Sequence, residues 1–236
     1  MKLELEIDFT DEIKAQALER MTYVKTPDVF LKTANSGFKL LDINTAELLD
    51  FPYPPNSSEQ TKKELIAIKN FMAISHPEDF SSNLKKMDED PAQFVIDHYE
   101  EITNKKAPKN VLKFITSGDV EVLAMKLKMY YNRPRPYQIA EHYGIEFDYN
   151  KSIQKGAAHH PSYPSGHTLS AYFTAEALGY ASPQIKKELL KKAKMVAESR
   201  IMEGVHFKSD NDFSIYLVNN VLMPAFIKKY DKGRDS

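Results

Sequence analysis

Hydrophobic positions recur along this chain mostly with the spacing of helices. Near the start, Leu3, Leu5, Ile7 and Phe9 alternate with polar residues, the period-two pattern of a short extended arm. From there on the apolar residues fall three and four apart. Thr10 is placed to cap a helix running to about Tyr23, with Asp11 and Glu12 in its first turn. A proline-rich stretch, Asp50-Phe-Pro-Tyr-Pro-Pro-Asn-Ser-Ser58, must be a loop. Ser57 and Gln60 have capping-box spacing ahead of a helix through Phe71. Further helices are predicted over 91–105, 109–131, 166–179, 183–203 and 210–230. The pattern predicts an all-α, single-domain helical bundle over 1–236, with its chemistry between about 108 and 230 at helix ends, plus the short extended N-terminal arm.

Composition narrows the function. The 236 residues are 42% hydrophobic, enough for a sizeable core, and 32 basic residues nearly balance 33 acidic ones. A net charge of −1 leaves no general basic field for nucleic acid. Any anion must be held by local charges. The absence of cysteine excludes disulfides, thiolate metal sites and a thiol nucleophile. No apolar run approaches the ~20 residues that span a bilayer. The acidic, alternating start is not a signal peptide as written, so the chain is expected to be soluble and cytoplasmic, or periplasmic or secreted if a leader has been removed. The arm offers a route to a homodimer.

Three clusters carry chemistry. In Lys128-Met-Tyr-Tyr-Asn-Arg-Pro-Arg135-Pro136 the prolines end a helix, leaving Lys128 in its last turns and Arg135 just beyond. The lysine is a point charge, and the arginine a planar fork matched to two phosphate oxygens. Read alone, the cluster is a basic helix C-terminus favoured by the helix dipole. In Tyr163-Pro-Ser165-Gly166-His167, an apolar helix follows, so Ser165 and Gly166 lie at its N-terminus. Free N–H groups there favour an anion, Gly166 permits close approach, and Ser165 adds a hydroxyl. The bland alternative is an ordinary capping turn. In Ser199-Arg200-Ile-Met-Glu-Gly204-Val-His206-Phe-Lys-Ser-Asp210, Gly204 is a helix C-cap, with Arg200 in the final turn. Ser209 is expected to cap the last helix with Asp212. Asp210 stands four residues after His206, within reach of a ring N–H. A carboxylate on one ring nitrogen leaves the other unprotonated and aimed outward. A lone pair of this kind is more often structural.

Together these clusters supply three cations, a helix N-terminus, two histidines and an orienting carboxylate. Their order and spacing, K-x6-RP, then PSGH, then SR-x5-H-x3-D, resemble the phosphatidic acid phosphatase type 2 superfamily. Within it the chain looks most like the bacterial class A nonspecific acid phosphatases, through Ser162–Thr168, the Gly204–Asp212 run and the FPYPP loop. The first hundred residues add little beyond that loop. K-x6-RP also fits Lys126 with Arg133. Lys128 with Arg135 is preferred, because the class A pattern has an extra arginine two residues earlier, where Arg133 stands.

The resemblance implies a metal-independent hydrolase of small-molecule phosphate monoesters, with no cofactor. His206 is the implied nucleophile, supported by Asp210, and His167 the acid and then the base. Lys128, Arg135 and Arg200, with Ser165 and Gly166, would hold the phosphoryl oxygens. The rival readings are a vanadium-dependent haloperoxidase, in which vanadate is the cofactor rather than an inhibitor, and a phosphatase of lipid phosphates or diphosphates. His76, His98 and His142 stand apart from the motifs. His159 and His160 form a loop pair to which a stray divalent ion has only a weak claim. Tyr163 or Tyr137 would line the pocket mouth.

Overall fold

The computed structural model describes residues 11–23, 25–146 and 159–233. The expected arm and its Thr10 cap lie outside them. The described residues are helical and contain no strand. In chain order the helices are α1 (Asp11–Glu19), α2 (Asp28–Ala34), α3 (Glu59–Ala73), α4 (Glu78–Glu89), α5 (Pro91–Thr103) and α6 (Lys109–Ile115). They continue with α7 (Asp119–Tyr131), α8 (Pro136–Ile139), α9 (Gly166–Ala181), α10 (Lys186–Met202), α11 (Lys208–Leu217) and α12 (Met223–Lys232).

α9 is the centre. Leu169, Ala171, Phe173, Ala175, Ala177 and Leu178 are all inaccessible, so this helix is apolar nearly all round, as a fully surrounded helix must be. Helices α5, α6, α7, α10, α11 and α12 pack on it. α10 comes closest, because a Cβ at Gly179 would meet Lys186 Cγ at 2.7 Å and its Cα at 3.2 Å. Truncating Phe173 to alanine at this hub would cost roughly 3–5 kcal/mol.

Several boundaries differ from the sequence reading for physical reasons. The stretch 109–131 is two helices, broken at Gly118, whose φ of 88° is left-handed and costs glycine little. α3 is capped by Ser58, which accepts from Thr61 N, rather than by Ser57. The last helical stretch starts at Lys208, and between α11 and α12 it widens into a π-turn at Val218–Leu222, just ahead of Pro224, which has no N–H to donate. α2 and α4 were not anticipated. α4 is strongly polar on one face and anchors Phe80 and Met87 in the core, with Leu84 partly buried against it.

The loop at 51–55 folds back onto the core. Tyr163 donates to Phe51 O at 2.9 Å, and Tyr131 Oη accepts from Phe51 N at 3.1 Å. Tyr163 stacks on Phe213 at 4.5 Å and is buried, so it is a wall of the core.

Candidate active site

The ends of α7, α9, α10 and α11 converge, and the three clusters meet there. Lys128, Arg135 and Arg200 are at most 1% exposed, and His206 2%. Burying three cations together is costly unless each is hydrogen-bonded or paired. Lys128, in the last turn of α7, donates to Pro161 O at 2.7 Å and Ser162 O at 3.1 Å. Arg135, released by the proline break, donates to Val205 O at 2.7 Å and, through Nε, to His160 O at 3.0 Å. Arg200, in the last turn of α10, reaches Asp88 Oδ1 at 2.8 Å and Glu203 Oε1 at 2.7 Å. Lys126, the alternative lysine, lies elsewhere, donating to Ala34 O at 2.8 Å.

His206 sits in the turn that Gly204 opens with φ 67°. Its Nδ1 lies 2.9 Å from Asp210 Oδ2, and its Nε2 lies 2.9 Å from Arg135 Nη1. A guanidinium has only donors, so Nε2 is the acceptor and Nδ1 carries the hydrogen. That leaves a lone pair on Nε2 facing the cations. Burial, then Arg135, Lys128 and Arg200, hold the ring well below the usual histidine range, so it is neutral. Burial and Arg135 also push the Lys128 ammonium well down. Burial lowers Arg135 to about 10, which leaves it charged at neutral pH.

Asp210 is fully buried and fully used. Its Oδ2 also accepts from Phe207 N at 2.9 Å, and its Oδ1 accepts from Arg133 Nη1 at 2.6 Å. Asp210, not Ser209 or Asp212, makes the side-chain contact at the start of α11. Ser209 instead donates to Glu64 Oε2 at 2.8 Å and accepts from Arg133 at 2.8 Å. The Arg133 guanidinium lies over the Phe207 ring, 3.9 Å from its centre, with Tyr53 at 4.9 Å.

His167 is in the first turn of α9. Its Nε2 lies 2.8 Å from the Asp88 carbonyl oxygen and 3.8 Å from Asp88 Oδ1. Burial, then Arg200, lower it to about 3. Ser165 is the N-cap of α9, and its hydroxyl donates to Thr168 Oγ1 at 2.9 Å rather than into the pocket. The Cβ position of Gly166 faces Lys128 Cε at 3.9 Å, so the helix end is open toward the cations.

Five partners escaped the sequence reading: Glu64 and Asp88 from the first half, Arg133 as the cation on Asp210, Glu203, and His160. The ring of His160 takes a hydrogen bond from Arg135 Nη2 at 3.0 Å, so it orients that arginine. The SRIMEG run did hold a signal, since Glu203 follows Arg200 by one helical turn. Among the described residues no three His, Asp or Glu side chains converge as a metal cage. None of the described helices is long and apolar enough to cross a membrane.

Among the described residues, helix ends gather buried cations beside a neutral histidine, a cluster whose chemistry suits a small oxyanion. Residues 111–218 match the model of the PAP2 superfamily. A non-specific acid phosphatase of Providencia stuartii is 30% identical over 144 residues, 57% of this chain and 55% of that protein. One from Salmonella typhimurium is 31% identical over 142 residues, with the same coverage of 57% and 55%. One from Salmonella typhi is 31% identical over 113 residues, 46% of this chain and 44% of its own length. The chain thus matches about half the length of these curated relatives.

Proposed function

We propose that this protein hydrolyses phosphate monoesters through a phosphohistidine, without a metal ion. The observation that carries this reading is His206: a neutral ring with its hydrogen held by Asp210 and its other nitrogen turned toward three buried cations. The acid phosphatases that match the chain support the same reaction class. His206 Nε2 attacks phosphorus as the bond to the leaving oxygen breaks. Asp210 stabilises the positive ring, and Lys128, Arg135 and Arg200 take over the equatorial oxygens. His167 gives a proton to the leaving oxygen, then accepts one from the water that releases phosphate.

A phosphate dianion is needed to bring the acid into its working state. Burial depresses His167 most and Arg200 and Lys128 add to it; a dianion neutralises those cations, so binding raises the proton affinity of the ring. Positioning and electrostatics carry most phosphoryl-transfer catalysis, and here three side chains supply the charge a divalent ion supplies elsewhere.

The test is turnover of p-nitrophenyl phosphate after prolonged EDTA treatment, with alkaline, denaturing quenching to trap an acid-labile, base-stable phosphoenzyme. Undiminished turnover, a trapped phosphohistidine and competitive inhibition by vanadate are expected, because vanadate copies the five-coordinate transition state. Activity lost to EDTA and restored by zinc or magnesium would end the metal-independent reading. Halide oxidation with vanadate and peroxide outpacing phosphate release would replace it with the haloperoxidase reading.

A further inference from the structure

Asp88 is the penultimate residue of α4, where the chain turns into α5, and it lies outside the matched region. It touches two site residues at once. Its Oδ1 accepts from Arg200 Nη1 at 2.8 Å, and its carbonyl oxygen is 2.8 Å from His167 Nε2. A scaffold ion pair would not require this placement, because Arg200 already has Glu203 Oε1 at 2.7 Å from its own helix. The Asp88 side chain is 18% exposed while Arg200 is 1%, so the carboxylate lies on the solvent side of the guanidinium.

A phosphate reaching Arg200 meets Asp88 already on Nη1, with Glu203 beside Nη2. His167 Nε2 donates to the Asp88 carbonyl oxygen at 2.8 Å, so a leaving oxygen that takes its proton from this nitrogen must take the carbonyl's place beside Asp88. Asp88 Oδ1 is 3.8 Å from that nitrogen, so the first carbons of the departing alcohol pass close to the carboxylate.

Resting on the phosphatase reading above, we propose that Asp88 is a specificity-determining residue. Its carboxylate competes with phosphate for Arg200. Once displaced, it stands beside the leaving group and favours alcohols that carry a positive charge over those that carry a negative one. An amino-alcohol phosphate places an ammonium two carbons from the ester oxygen, within a few ångströms of Asp88. A phosphorylated hydroxy acid places a carboxylate in the same region. At the dielectric of a partly buried site, one charge at that range changes efficiency by about tenfold.

The experiment compares O-phosphoethanolamine, ethyl phosphate and phosphoglycolate as substrates for the wild type, Asp88→Asn and Asp88→Glu. Calorimetry of inorganic phosphate binding accompanies it. The wild type should prefer the cationic ester over the neutral one, and the neutral over the anionic, by about tenfold at each step. Asp88→Asn should bring the three within about threefold and bind phosphate about tenfold more tightly. Asp88→Glu should keep the wild-type order. An unchanged ratio in Asp88→Asn, or an equal loss on all three substrates, overturns the proposal, the latter marking a structural role. If the wild type hydrolyses none of the three nor p-nitrophenyl phosphate, the phosphatase reading fails instead. Calorimetry then decides alone, and unchanged phosphate affinity in Asp88→Asn overturns the competition for Arg200.

Discussion

The two halves of this chain bring opposite things to the pocket. The matched region, 111–218, brings Lys128, Arg133, Arg135 and Arg200, both pocket histidines and Asp210. The part before it brings carboxylates: Glu64 lies 3.6 Å from Arg133 Nη2, and Asp88 lies 2.8 Å from Arg200. The motif half gathers four cations with only Asp210 and Glu203 to offset them at the site, and the surplus positive charge would repel itself if gathered alone. The preceding half makes gathering them tolerable, and it does so from α3 and α4, helices otherwise held to the core by a few apolar residues such as Leu65, Ile68, Phe80 and Met87. A pocket that binds anions must remain short of negative charge, so its counter-ions sit behind it, as Glu64 does, or on its solvent side, as Asp88 does.

The sharpest break in that comparison is His206→Ala, confined to the motif half. It should abolish turnover by several orders of magnitude, where each ~1.4 kcal/mol of barrier is a factor of ten, while circular dichroism and thermal unfolding stay close to wild type. A folded variant with near wild-type turnover would remove His206 from its role. Arg133→Met tests the seam between the halves. It strips the cation from Asp210 Oδ1 and strands Glu64, and breaking a buried pair costs roughly 3–5 kcal/mol. Turnover should fall at least tenfold, because Asp210 no longer holds the His206 ring in place. Glu64→Gln should do less, since Ser209 can still donate to the amide oxygen.

Asp119 reverses the direction of supply. It too is a fully buried carboxylate, but it belongs to the motif half and serves the other one, accepting from the backbone N–H of Lys39 at 2.6 Å and of Leu40 and Leu41 at 2.8 Å each. Asp119→Ala would leave three amides short of a partner and should destabilise the fold by ~3 kcal/mol in urea titration. Turnover per folded molecule should be unchanged. A drop in kcat at full folding would mean that this anchor also shapes the pocket.

Asp119 and Asp210 also mark what was legible in the sequence. Asp210 could be found because its partner is four residues away, and short spacing is visible in one dimension. The same holds for the helix-end positions of Lys128, Ser165 and Arg200, which follow from prolines and glycines beside them. Asp119 binds residues 78 to 80 positions away, and Asp88 binds Arg200 at a separation of 112, with no local pattern to announce either. α4 was missed for a related reason. Ser81, Ser82 and Asn83 weaken its propensity, and it is held helical by docking Phe80 and Met87. The hydroxyl of Ser165 shows the limit of motif reasoning in the other direction, since the cap uses a group that the motif offers to the anion.

The smallest expected effect is on stability against pH, and it separates the halves by sign. His167 and His206 have folded-state pKa values depressed below the ~6.5 of an unfolded histidine, His167 to about 3. Below pH ~6.5 the unfolded chain therefore takes up protons that the folded chain refuses, and stability falls as pH falls, continuing toward pH 3 for His167. Glu64 behaves oppositely. Burial raises its pKa above 4.5, so the folded state takes its proton first and gains stability as pH drops through that range. Between pH 6.5 and 5 the histidine effect dominates, at up to ~2 kcal/mol for each ring by linkage. His167 is 21% exposed, so solvent screening should bring its share below that ceiling. Melting temperatures at pH 7 and 5 should fall less in His167→Asn than in the wild type. Inorganic phosphate should flatten the wild-type dependence, because it offsets the cations that depress the ring. Equal pH dependence in the two proteins would show that His167 titrates normally and that the cations do not reach it.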